Sequence, residues 1–239
     1  MPLYERLAES FAVTVPDLPG YGESERPDWA RDPRDLAVIM QRLLDKLELE
    51  DVTLVGLGFG GFIAAEMASL NYTRLSRLVL VGAAGLKPRE GEIVDQMLLD
   101  HPDYVKAGFH DEAIYEQLFF HEKEVDEDAE DAEDADAATT ELDPVFRDIW
   151  EFSRIMTARV SWSPYMRSRH LPHLLGDVQP PSLVVWGEHD NIVPLDCGRQ
   201  YESALPDARL EIVANSGHAV DLEQPEALAT LIVAHAGPA

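Results

Sequence analysis

One stretch, from Val52 to Val81, constrains the fold more than any other. A short β-branched run at 52–55 leads into glycines at 56, 58, 60 and 61, an Ala-rich segment over 62–70, and a second apolar run at 78–81. Strand, glycine turn, helix and strand make a βαβ unit, and a crossover of this length leaves the two strands parallel. Both runs are apolar without alternation, as expected of strands covered on both faces.

The same rhythm recurs on either side. Upstream, residues 11–16 read as a strand that Pro19, Gly20 and Gly22 end in a loop. Asp32, Pro33 and Asp35 supply the cap, first-turn proline and early acid of a helix. Leu36, Ile39, Met40, Leu43, Leu44 and Leu47 follow at helical spacing as one buried stripe. Downstream, 182–186 and 210–213 read as strands, and a last helix starts at Pro225. The expectation is an α/β protein with a mostly parallel sheet and flanking helices. Residues 86–178 break the rhythm and hold helical segments near 93–99, 112–120 and 145–157. They are expected to form a helical cap inserted into a core made of residues 1–85 and 179–239.

Charge narrows the function. The 239 residues carry 19 Lys plus Arg against 45 Asp plus Glu, a formal net charge of -26. Phosphate contacts require a basic surface, so nucleic acid is excluded as a partner, and anionic membrane surfaces are disfavoured for the same reason. No apolar run approaches the roughly 20 residues that span a bilayer, and no signal peptide is visible. Glu122 to Glu141 is a low-complexity run with eleven acids and one base, Lys123. Its self-repulsion and lack of apolar residues predict a solvated loop. It lacks the glycine and ligand spacing of an EF-hand calcium site. With Cys197 as the single cysteine, neither an internal disulfide nor a zinc-type cluster can form. A cytoplasmic protein without metal or other cofactor is expected.

Chemistry is expected where predicted strands end, because parallel sheets bind ligands at the carboxyl ends of their strands. Three stretches stand there: VGLGFGG (55–61), VVWGEHDNIVP (184–194) and VANSGHAVDLEQPE (213–226). Each has an ordinary explanation alone, as a packing turn, a helix cap or a structural histidine. Their joint occurrence in this order is far more specific. With PDLPGYGES (16–24), they make the chain resemble the α/β-hydrolases, and among them the small cap-bearing esterases and carbon–carbon bond hydrolases.

The resemblance implies a nucleophile elbow of the form G-x-S-x-G, an acid after a later strand and a histidine after the last. The matching positions are Gly58, Asp190 and His218. It implies that Asp190 orients His218 and that the backbone N–H of Phe59 is an oxyanion donor. A small apolar carbonyl compound is the implied substrate or ligand. Gly58 stands where the serine belongs, so no hydroxyl is available to attack a carbonyl. Glycine takes the strained elbow conformation without a Cβ penalty, so the change preserves folding while removing the chemistry. Two readings follow: a hydrolase of ester or activated carbon–carbon bonds, or a binding protein of the same fold that has lost its nucleophile.

The resemblance also implies about three strands ahead of residues 11–16 that this sequence lacks, as in an N-terminally truncated α/β-hydrolase fold, the third of which would lie in the sheet beside both 11–16 and 52–55. A start assigned too late, a truncated gene and a sheet that closes the gap directly all remain open at this point. Gly56, Gly58 and Gly61 also satisfy G-x-G-x-x-G, but a dinucleotide site leaves WGEHD and the later GH unexplained. Cys197, on the helix after Asp190, reads as structural. Asp17, Glu188 and Asp221 read as turn or surface acids. Phe119, Phe120, Trp150, Phe152, Trp162 and Tyr165 are candidates for lining an apolar pocket under the cap.

Overall fold

A computed structural model describes residues 2–121, 141–142 and 144–237. Helix α1 (Pro2–Ala8) comes first and α2 (Pro33–Lys46) second, the latter capped by Asp32, whose carboxylate accepts the Arg34 N–H. Strand β1 (Val52–Leu57), helix α3 (Gly58–Leu70) and strand β2 (Leu75–Val81) form the βαβ unit. The long connection after β2 carries α4 (His101–Ala107), α5 (Glu112–Phe119), the two-residue antiparallel strands β3 (Phe120–His121) and β4 (Glu141–Leu142), α6 (Pro144–Ser161) and α7 (Leu171–Leu174). The chain then returns through β5 (Ser182–Gly187), α8 (Leu195–Ala204), β6 (Ala208–Val213), α9 (Val220–Glu223) and α10 (Pro225–Ala236).

The main sheet has the order β1-β2-β5-β6, and every pair in it is parallel. Leu57 stands level with Val81, Val81 with Val185, and Gly187 with Val213. The strands therefore end along one rim, and the turns that follow them meet there. Alternate residues of β2 and β5 face opposite ways. Leu78, Leu80, Val184 and Trp186 join one apolar cluster with α2, α3 and α8, whereas Val79, Val81, Leu183 and Val185 join another with α1 and α10. Both faces are covered, as the unbroken apolar runs predict.

Two sequence expectations are corrected. Residues 11–16 are not a strand: they form no ladder, and Val13 and Val15 are 38% and 55% exposed. A β-prone run pairs only if a strand lies beside it, and β1 has no partner but β2 among the described residues. The sheet therefore does not close the gap through this segment. Residues 93–99 are not helical either. Their backbone groups are taken by distant partners: the Val94 N–H donates to the Ile192 carbonyl, the Gln96 N–H to the Tyr165 hydroxyl, and that hydroxyl donates to the Val94 carbonyl. Once those groups are engaged elsewhere, the i→i−4 bonds of a helix cannot form. The acidic run at 122–141 lies, apart from its last residue, outside the described residues. No helix of the described residues is long and apolar enough to cross a membrane.

Candidate active site

Gly58 opens α3 at the end of β1 with φ of +51°. That left-handed backbone costs an L-residue about 1–2 kcal/mol and glycine almost nothing. The first amides of the helix, that of Phe59 among them, have no acceptor within it, and the helix dipole adds positive character at this end. The Phe59 ring is fixed between Tyr21 and Phe62, with centroids 5.8 and 6.1 Å away.

Asp190 follows β5. Its side chain is 1% exposed. One carboxylate oxygen accepts the N–H groups of Ile192 and Val193, both at 2.9 Å. The other lies 2.8 Å from Nδ1 of His218, on the turn after β6. Anchored by two backbone donors, the carboxylate offers its second oxygen in a fixed direction, which holds the imidazole with Nδ1 protonated and Nε2 turned outward. Burial alone pushes the imidazole toward its neutral form. The charge and hydrogen bond of Asp190, helped by the charge of Asp221, outweigh burial and leave His218 above its ordinary 6.5.

Nε2 points at the elbow. A Cβ built on Gly58 would lie 3.0 Å from Nε2 and 3.6 Å from Cε1 of His218, and would meet nothing else within 4 Å. The three predicted residues are thus brought together from three strand ends. On the other side of the ring, a Cβ on Gly82 would lie 3.0 Å from Nδ1 of His218 and 3.3 Å from Asp190 Oδ2. Gly82 has φ of +53° at the end of β2, and the histidine–carboxylate pair packs directly on its Cα. Sequence reasoning missed Gly82, although it stands right after a predicted strand as Gly58 does.

The other candidates separate. Cys197 is fully buried in α8, and burial pushes its thiol up to about 12, so it is no nucleophile. Asp17 holds a turn by accepting the Glu23 N–H, and Glu188 is exposed beside His189. Asp221 is more than a surface acid: burial raises its carboxyl, and its charge acts on His218. The aromatic candidates do not gather around one cavity. Tyr165 is tied to Val94 and Gln96, Trp150 stacks against Tyr104 at 5.1 Å, and Phe119 packs with Phe109 and Tyr115. Phe152 and Trp162 are 41% and 55% exposed, and the Phe120 side chain lies outside the described residues. Tyr104, not singled out in the sequence, lies close enough to Asp190 for that charge to add to the raising of its hydroxyl by burial. Among the described residues, no group of three or more His, Cys, Asp or Glu is placed to hold a metal.

Comparison with known proteins identifies the family and the fold. A family model described as the alpha/beta hydrolase fold matches residues 2–225. The chain is 30% identical over 233 residues to 2-hydroxymuconate semialdehyde hydrolase of Pseudomonas sp. (strain CF600), covering 95% of this chain and 76% of the relative. It is 29% identical over 246 residues to 2-hydroxy-6-oxononadienedioate/2-hydroxy-6-oxononatrienedioate hydrolase 2 of Pseudomonas putida, covering 95% and 77%. Among solved structures, a meta-cleavage product hydrolase from Pseudomonas fluorescens IP01 superposes with a TM-score of 0.74 at 20% identity, over 98% of this chain and 82% of the other.

Proposed function

Because the chain belongs to the alpha/beta hydrolase fold family, we propose that it is a hydrolase of ester or activated carbon–carbon bonds in which His218, oriented by Asp190, activates water directly. The observation that carries this reading is the alignment of Asp190, His218 Nε2 and Gly58, where no side chain stands between Nε2 and the start of α3. A water held within hydrogen-bond reach of Nε2 gives up a proton to the imidazole as its oxygen bonds to a substrate carbonyl carbon. The first-turn amides of α3 then donate hydrogen bonds to the developing oxyanion. Collapse breaks the bond to the leaving oxygen or carbon, which takes the proton from Nε2, so acid and leaving group separate with one water consumed. The 2.8 Å carboxylate contact steadies the imidazolium that forms between the two steps. General-base catalysis of this kind contributes about 10²- to 10⁴-fold, less than a covalent route supplies. Residues 86–178 serve as the cap over this site, and the substrate is a small, largely apolar carbonyl compound. The carbonyl is the feature shared with the compounds in the relatives' names, 2-hydroxymuconate semialdehyde and 2-hydroxy-6-oxononadienedioate, which carry carboxylates as well.

The second reading is a non-catalytic ligand-binding protein of the same fold, favoured by the 3.0 Å gap itself. A serine Cβ at residue 58 would crowd Nε2, so the histidine has settled closer to the elbow than a nucleophile there comfortably allows. Hydrolysis of short-chain p-nitrophenyl esters by wild type, Gly58→Ser and His218→Ala separates the two. The hydrolase reading expects wild-type turnover that falls about 10²-fold or more in His218→Ala. Turnover confined to Gly58→Ser gives the binding protein instead.

A further inference from the structure

The histidine turn is tied to the β2–β5 connection through one buried carboxylate. Glu223, 7% exposed on α9, accepts three backbone N–H groups. Its Oε2 takes the Gly217 N–H at 2.6 Å, immediately before His218, and its Oε1 takes those of His110 and Asp111 at 2.8 Å each. His110 and Asp111 belong to the link between α4 and α5. Alongside, the Ala219 N–H donates to the Gly108 carbonyl at 3.0 Å, and a Cβ on Gly217 would lie 2.5 Å from that carbonyl oxygen. Of the residues flanking His218, Ala219 is thus bonded directly to residues 108–111 of the connection, and Gly217 is joined to them through Glu223. A third tie lies beyond it: the His110 ring stacks on His189, next to Asp190, at 4.0 Å and 15°.

Hydrogen bonds to an ionised acceptor are short and about twice as strong as neutral ones, and a buried carboxylate left without donors is costly. Glu223 therefore favours only arrangements in which Gly217, His110 and Asp111 converge. None of these three amides belongs to a strand ladder, and among the described residues Glu223 is the one side chain whose hydrogen bonds join all three. We propose that Glu223 is a positioning residue that aims His218 at the elbow, and does so only while the α4–α5 link is seated on the histidine turn. The seating of the helical connection is thereby coupled to the aim of the base. The turnover part of this inference rests on the hydrolase reading above; the geometric part does not.

The test compares Glu223→Gln with Glu66→Gln. Glu66 on α3 is also a buried acid, paired with Arg34 on α2 and outside these ties, so its loss reports a structural role alone. Ring-¹⁵N NMR titration follows His218 directly. In the wild type its midpoint lies above 6.5 under Asp190 and Asp221. In Glu223→Gln it is expected to fall back toward 6.5, and in Glu66→Gln to stay. An unmoved midpoint in Glu223→Gln, or an equal fall in both, overturns the proposal. Amide hydrogen exchange of the wild type stands if Glu223→Gln does not fold: Gly217, His110 and Asp111 are expected to exchange with one common protection, and independent exchange of Gly217 overturns it. In a chain that turns over ester, Glu223→Gln is expected to lower kcat about tenfold with KM within twofold. Absence of turnover in every variant counts against the hydrolase reading alone, and the titration and exchange results still decide the role of Glu223.

Discussion

The two halves of the candidate site are built to different standards. On the β5–β6 side, each acceptor is engaged: Asp190 receives two backbone donors and the imidazole, and Glu223 receives three backbone donors. On the β1 side, the backbone holds the left-handed turn and free first-turn amides of a nucleophile elbow, but Gly58 offers no side chain. The contrast teaches that the geometry of such a site and its reactive atom are separable. The turn is made by β1, α3 and their packing, whereas the nucleophile is a single side chain that the fold does not need.

The strongest way to break this comparison is to damage the well-built half with one methyl group. Gly82→Ala places a Cβ about 3 Å from His218 Nδ1 at a φ of +53°. It is expected to cost about 1–2 kcal/mol in urea unfolding from backbone strain. In an active background, it is also expected to lower turnover tenfold or more by displacing the imidazole. Unchanged turnover would show that the pair tolerates displacement.

The pH profile sharpens the comparison by several-fold changes in rate. A general base must be neutral, and His218 titrates above 6.5. The rate is therefore expected to rise with pH through a midpoint higher than that of a free histidine. Stability runs the other way. Protonation is favoured in the folded state, so the stabilisation from the Asp190–His218 pair is full below about pH 6.5 and is lost as pH rises through the folded midpoint. Chemical denaturation at pH 6 and pH 9, in wild type and His218→Ala, isolates that difference.

The smallest effect is expected at Cys197, whose thiol is buried, accepted by the Leu86 carbonyl and raised to about 12. Cys197→Ala is expected to leave hydrolysis unchanged, and a thiol reagent at pH 8 is expected to label the native protein negligibly. Rapid labelling accompanied by loss of activity would move the nucleophile away from the elbow.

Much of this was legible in the sequence because it rests on local pattern. The runs at 52–55, 78–81, 182–186 and 210–213 are strands because both faces are covered, which needs only apolar residues in succession. Asp190 and His218 were readable because each follows such a run. What escaped depends on partners distant in the chain. Residues 11–16 carry strand propensity but no neighbour, and residues 93–99 spend their hydrogen bonds on Ile192 and Tyr165. Glu223 looks like any acid before a proline until the fold brings Gly217, His110 and Asp111 around it.

The positive φ at Gly58 has an evolutionary side. Where serine occupies such a turn, folding pays a strain penalty that only catalysis repays; with glycine the penalty vanishes, so purifying selection on stability cannot oppose the exchange. Glycine and serine codons differ by as little as one base. A lineage carrying this chain thus stands a single substitution from a serine at residue 58. Drift in either direction is gated by whether His218 can retreat a few tenths of an ångström from a new Cβ.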